Sequence, residues 1–487
     1  LKEEPLYKST NHFLLLAAAF LGFTIAAAIT SLYWLLLLPF GSLLFYAGWQ
    51  QGQIIFYLLM FSLPWSIEYN FNSSLSTDLP DEPIMWMITV LFFAWFLFRP
   101  SEIFSKIKHP LIVVLLCSLI WIIVTVLFTT DWIISLKFFL AKCWYLVAFV
   151  LAPLLFFVNK RTIGTAAILF LISMVSVTVI AVCRHAFYWF RFANINDAVS
   201  PFFRNHVNYS AMLVCTVPIL IAVYQLNKKY RAAIIAATIV VLIALFFSYS
   251  RGAWLALIIG ALSYWLIKKR KLLIAFVFAV VLTMSSVSWL STNDRYLNYA
   301  HDYRTTIFHK NFEEHLVATY KLKDVSTAER FNRWIAGVRM IKDNWLTGYG
   351  PNTFYYNYKP YAIPAFRTWV SDNKEHSTVH NYFLLVLIEQ GVPGLLFFLL
   401  IVGSMFYYAE KIYSRTEDKF YKAASMACGA MIMMIVVVNF LSDLIETDKI
   451  GSLFFLCLAT LVSIDLKTRG QEMQVQKGQP KKGKNSS

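Results

Sequence analysis

The sequence predicts an all-α polytopic membrane protein of roughly 12–14 transmembrane helices with one large extracytoplasmic loop. Three observations carry this. The 487 residues are 59% hydrophobic and only 14% charged, where a soluble globule averages about 25% charged. Apolar runs long enough to cross about 30 Å of hydrocarbon recur from end to end. They do not alternate apolar with polar as the strands of a membrane barrel would. One polar stretch, 291–380, interrupts them.

The predicted spans are 13–30, 32–48, 53–68, 84–98, 110–128, 138–157, 163–183, 207–226, 232–248, 253–267, 272–290, 381–409, 423–441 and 451–465. The first run lacks a small-residue cleavage site followed by a soluble domain and reads as a span. The chain divides into spans with short loops over 1–290, the long loop 291–380, C-terminal spans over 381–465, and a basic tail 466–487 expected to be disordered. Basic residues orient it. Lys106, Lys108, Lys160, Arg161, Lys228, Lys229, Arg231, Lys268–Lys271, Lys411 and Arg415 fall on one side if both termini are cytoplasmic. The net charge of +16 is therefore mostly a topology signal, and its scatter over short loops argues against a nucleic-acid partner. Six cysteines, all within or at the ends of apolar runs and without a CxxC pair, predict buried thiols, no disulfide framework and no structural zinc.

Cations on the predicted outer face break the topology rule. Arg184, Arg191 and Arg204 lie in the 184–206 segment with Asp197 as its only acid. Arg251 stands in the turn Ser248-Tyr249-Ser250-Arg251-Gly252, and the long loop holds twelve Lys and Arg against nine Asp and Glu. Such cations are expensive near lipid unless they are paired or line a wet cavity. For Arg184 and Arg191, flanked by aromatics, snorkelling to headgroups is the structural alternative. Lys142, inside 138–157, reads equally as the end of a tilted helix or as a lysine facing an anionic substrate.

The long loop holds five of the nine histidines and ends in Val379-His380-Asn381-Tyr382. Within it Ser326-Thr327-Ala328-Glu329 has capping-box spacing. Phe331, Trp334, Ile335, Val338 and Ile341 then recur at helical spacing, predicting an amphipathic helix over 327–343 with Arg330 and Arg333 on it. A helix lying on the membrane with solvated arginines is the structural alternative.

His380-Asn381, nine residues, then Gly391-Val392-Pro393-Gly394 resembles the signature of the O-antigen ligase family. Three further segments agree in order: Asn205-His206-Val207-Asn208-Tyr209; Ser250-Arg251-Gly252-Ala253-Trp254; and Glu329-Arg330, Trp334, then Gly348-Tyr349-Gly350-Pro351-Asn352-Thr353-Phe354. The resemblance covers about 200–400 well and separates members of the superfamily poorly. It implies a metal-independent, inverting glycosyltransferase of the GT-C type with no cofactor. Such an enzyme moves a glycan from undecaprenyl pyrophosphate to an acceptor on the periplasmic face of the bacterial inner membrane. In ligases the acceptor is lipid A–core, in related polymerases a second lipid-linked unit, in protein O-oligosaccharyltransferases a Ser or Thr hydroxyl.

Breaking the donor's C1–O bond builds negative charge on a diphosphate, which arginines stabilise through bidentate hydrogen bonds. Arg251 and then Arg330 are the expected cations, with Arg204, Arg191, Lys142 and Arg333 as further substrate-binding candidates. A neutral imidazole takes the acceptor's proton. His380 is the expected base, His376 its nearest competitor, and His206 a donor to phosphate. The alternative for His380 is a residue that caps or anchors the next helix. Asn381, Glu389, Gly391 and Gly394 are expected supports: Glu389 as scaffold or partner to an arginine, the glycines for close helix approach or a break near Pro393. A flippase or exporter of lipid-linked oligosaccharide would share the spans and cationic cavity, although no internal repeat of the transporter kind is visible.

Overall fold

The computed structural model describes residues 17–18, 20–26, 29–30, 37–72, 75–98, 100–293, 295, 325–363 and 378–478. Among them, nine helices are long and apolar enough to cross a membrane, and Gly52–Trp65 and Arg231–Phe246 are shorter apolar helices. The chain is an all-α multi-pass membrane protein. From Leu37 onward the described helices are α1 (Leu37–Gln50), α2 (Gly52–Ser62), α3 (Asp81–Phe98), α4 (Pro100–Ile107), α5 (Pro110–Leu127), α6 (Trp132–Leu146), α7 (Ala152–Phe156) and α8 (Lys160–Phe187). They continue with α9 (Ile195–Val199), α10 (His206–Leu226), α11 (Arg231–Phe246), α12 (Arg251–Lys268), α13 (Leu272–Ser291), α14 (Val325–Asp343), α15 (Phe354–Asn357), α16 (Tyr382–Arg415), α17 (Lys419–Asn439) and α18 (Asp448–Gly478).

Several expectations need correction. The run 53–68 stops as a helix at Trp65, and a two-stranded antiparallel hairpin follows, β1 (Ile67–Asn72) with β2 (Leu75–Leu79), pairing Glu68 with Asp78. The predicted span 138–157 starts earlier, at Trp132, and passes through a π-turn at Val147–Leu151 into α7, where Pro153 has no N–H to continue the ladder. The last helix runs to Gly478, so the basic stretch 466–478 is helical rather than disordered. Cys117 and Cys183 lie on outward helix faces and Cys143 is half-buried; only Cys215, Cys428 and Cys457 are buried. An outward position suits a thiol when the surroundings are lipid. Of the predicted span 13–30, residues 17–18, 20–26 and 29–30 are described, and they are helical.

The centre of the bundle is α10, α17 and α18, the most enclosed of the candidate spans, while α13 shows most of its surface outward. At the end away from the long loop, buried Asp465 gathers a histidine and two arginines. His109 Nε2 lies at 3.2 Å, Arg415 at 3.2 Å and Arg469 Nε at 2.7 Å. They tie the start of α5 and the end of α16 to α18. A buried charge stripped of its partners typically costs about 3–5 kcal/mol. Asp465→Ala strands these three groups and is expected to lower the thermal unfolding temperature of detergent-solubilised protein by several degrees, which scanning fluorimetry reads. An unchanged midpoint would show that the cluster carries no stability.

The helix α16 is broken. Gly391 has φ 68° and ψ −173°, and Pro393 follows. The break leaves carbonyls free of helical partners, and the long loop supplies them. Tyr349 N–H donates to Ile388 O and Gly350 N–H to Glu389 O, each at 3.0 Å. The Trp121 indole donates to Gln390 O at 2.8 Å, and Val392 N–H donates to Trp345 O at 2.9 Å. Gly348 and Gly350 both have positive φ, and a Cβ at Gly348 would overlap the Glu389 backbone. The stretch 345–354 is thus inserted against the break, about 14 Å along the helix from Tyr382.

Candidate active site

The helix α14 holds the chain end that presents His380. Its first residue is Val325, so Ser326 lies inside it instead of capping it. Glu329 turns to Arg333 one turn on, with Oε2 to Nε at 3.4 Å. Arg333 is buried, donates to Thr378 O at 2.8 Å, and lies over the Tyr358 ring. Trp334 donates its indole N–H to Val379 O at 3.0 Å. On the other side Asn381 caps α16 by accepting from Leu384 N–H, and Tyr382 N–H donates to Ser442 O. His380 is therefore pinned between two fixed neighbours at φ 53°, a left-handed conformation that His tolerates better than most side chains. The capping role falls to Asn381, which leaves the imidazole free of it.

His380 Nδ1 lies 3.8 Å from Asp443 Oδ1, and Asp443 Oδ2 accepts from the Thr378 hydroxyl at 2.6 Å. Burial, followed by the charges of Arg330 and Arg333, pushes the His380 imidazole down to about 3. The ring is accordingly neutral at physiological pH. Burial and then the opposing pull of the Thr378 hydrogen bond act on Asp443, with a net rise above the usual carboxylate range.

Asp443 belongs to the short segment between α17 and α18, which sequence reasoning missed. Its signal is present: Asp443, Glu446, Asp448 and Lys449 crowd into seven residues between two apolar runs. Arg251 opens α12 beside this segment. A Cβ at Gly252 would sit 3.6 Å from Leu441 Cδ1, two residues before Asp443. The preceding Tyr249, at φ 56°, donates its hydroxyl to Phe190 O and packs edge-on to Phe192, whose ring also meets His206. His206 lies 2.9 Å through both Nδ1 and backbone N from Asn196 Oδ1. The Arg191 carbonyl contacts His185 Nε2 at 3.0 Å while its own side chain is exposed. The 185–206 corner is thus joined to the turn that carries Arg251. Arg184 closes this corner on itself through the carbonyls of Asp197 and Ser200.

Lys142 and Arg204 stand elsewhere, around a cavity of about 510 Å³ between β1–β2, α6, the 200–204 turn and the start of α18. Lys142 pairs with Glu446 at 2.9 Å, and Glu446 also accepts from the Tyr382 hydroxyl at 2.7 Å. Lys449 gives its ammonium to Ser66 O and Phe202 O. On the hairpin, burial and then Asp448 push the Asp78 carboxyl up to about 7. Glu389 does not pair with an arginine in these contacts. It accepts from the backbone N–H groups of Asn352 at 2.8 Å and Phe354 at 3.1 Å, so its expense in an apolar helix is met by the inserted loop. Gly391 forms the break, and at Gly394 a Cβ would press on Gln390. His376 lies outside the described residues. Among the described residues no group of three or more His, Cys, Asp or Glu is placed to hold a metal ion.

No curated protein matches the chain. The O-antigen ligase family matches residues 235–399. That stretch contains Arg251, Arg330, Arg333, His380, Asn381 and the Gly391 break, while Ser442 and Asp443 lie beyond it. Residues 235–399 of this multi-pass chain are thus similar to the O-antigen ligase family.

Proposed function

We propose that the protein transfers a glycan from undecaprenyl pyrophosphate to a hydroxyl of lipid A–core, on the periplasmic face of the bacterial inner membrane with both termini cytoplasmic. The observation that carries this is His380, which lies inside the family-matched segment with its Nδ1 3.8 Å from Asp443 and the arginine-bearing helix α14 bound to the residues just before it. The acceptor O–H attacks C1 of the donor sugar from the face opposite the leaving group. The C1–O bond to the diphosphate breaks with inversion. The acceptor proton passes to His380 Nε2 and later to solvent. Asp443 lies on the Nδ1 side, where it favours the imidazolium that forms. Arg251 and Arg330 stabilise the diphosphate as its charge grows.

A defined assay tests this: purified protein in nanodiscs, a labelled undecaprenyl-pyrophosphate glycan, and three acceptors offered separately. Label on lipid A–core supports the ligase reading. Label on a second lipid-linked unit or on a protein hydroxyl assigns a polymerase or a protein O-oligosaccharyltransferase instead. Movement of the donor across the bilayer without transfer would replace the enzyme by a flippase. In the same assay Arg251→Ala is expected to lower kcat by about 10²–10³-fold. Arg251→Lys is expected to recover only part of it, since an ammonium cannot bind bidentately. A change confined to the acceptor KM would remove Arg251 from the diphosphate.

A further inference from the structure

We propose that the 510 Å³ cavity beside α6 is a sugar subsite, taking a phosphate-free pyranose of one of the two substrates while its neighbouring ring reacts at His380. This rests on the transfer reading above and deepens it. The volume lies within the range of about 300–1,000 Å³ usual for small-molecule sites.

The lining decides the chemical class. Five carboxylates face the cavity: Glu68, Asp78, Glu82, Glu446 and Asp448. Its three cations are Lys142, Arg204 and Lys449, of which Lys142 is engaged by Glu446 and Lys449 by two carbonyls. A surplus of acceptors repels phosphate and suits a ligand rich in hydroxyl donors. Asp78, its carboxyl pushed up to about 7 by burial and Asp448, can both accept from and donate to a sugar hydroxyl. Trp144 and Phe138 add aromatic surface, against which the C–H face of a pyranose packs. Arg330 and Arg333, whose charges act on His380, do not line this cavity, and neither does Arg251.

The two places share a wall. Glu446 lines the cavity and holds Tyr382, two residues past His380. Asp443, beside His380 Nδ1, precedes Glu446 by three residues at the same 3-10 turn. A glycan lying along this wall has one ring among carboxylates and the next ring at the imidazole.

The test uses full-length protein in nanodiscs and two probes, the phosphate-free glycan released from the donor and the dephosphorylated core oligosaccharide of the acceptor. Binding is read by saturation-transfer NMR and transfer by steady-state kinetics. One probe is expected to bind, Asp78→Asn to weaken it about tenfold, and KM for that same substrate to rise about tenfold with kcat within twofold. The substrate whose KM moves is the occupant. Trp144→Phe keeps an aromatic wall and serves if Asp78→Asn does not fold; it is expected to weaken binding about threefold. The proposal is overturned if neither probe binds the wild type, if both variants bind as tightly as wild type, or if a phosphorylated core binds equally well. Wild-type binding without any transfer would remove the enzymatic reading and keep the cavity. Intact transfer with both KM values unmoved would do the reverse.

Discussion

His380→Ala is expected to lower kcat for glycan transfer by about 10²–10⁴-fold, the usual worth of a positioned general base, with the donor KM near its wild-type value. The imidazole is held by backbone contacts made by Trp334, Arg333 and Ser442, none of which its own side chain supplies. Its loss should therefore leave the fold intact. The pH profile gives a sharper check. With burial, Arg330 and Arg333 holding the free imidazole near 3, the acid limb of kcat/KM, which reports free enzyme, should fall well below pH 6. A bound diphosphate adds negative charge beside the same arginines, favours the protonated ring and raises its pKa. The acid limb of kcat should therefore lie at higher pH than that of kcat/KM. Coincident limbs near the ordinary value of about 6.5 would contradict the arginine environment. Unchanged turnover in His380→Ala would remove the base.

The second large effect is structural. Gly391→Ala is expected to abolish monodisperse, transfer-competent protein, or to lower its unfolding midpoint by many degrees. At φ 68° and ψ −173° the backbone occupies a region essentially reserved for glycine, at a cost of about 1–3 kcal/mol for other residues. An added Cβ would also overlap the Leu346 carbonyl. That carbonyl belongs to the inserted stretch, so it cannot shift without loosening the bonds from Tyr349, Gly350 and Trp121. Gly403→Ala in the same helix is the control. Its nearest neighbours would be Leu273 and Phe276 at 3.6 and 3.9 Å, ordinary contact distances. Size-exclusion chromatography and thermal unfolding of the two variants side by side check the contrast. Equal stability would mean that the break is not needed.

The apolar runs made most of the spans legible because length and hydropathy suffice to mark them. The β1–β2 hairpin was obscured by that same signal. Ile67, Tyr69 and Phe71 alternate with Glu68, Asn70 and Asn72, a period of two, yet the strand follows directly on an apolar helix and extends its hydrophobic run. Arg251 stood out because it violates a topology rule, whereas Asp443 and Glu446 obey one and drew no notice. The partnership of Lys142 with Glu446 joins residues 304 apart in the chain, which no local spacing reveals. Glu389 was legible as an acid needing partners. That these are backbone amides of the long loop follows only from the break in α16, which exposes the helix to that loop.

The inserted stretch also limits how the protein can move. Withdrawing Tyr349 and Gly350 would bare the carbonyls of Ile388 and Glu389 in a helix flanked by lipid, where each unmet group costs several kcal/mol. Residues 345–354 therefore travel with α16 as a rivet. Any displacement of the neighbouring segments then turns about this fixed point.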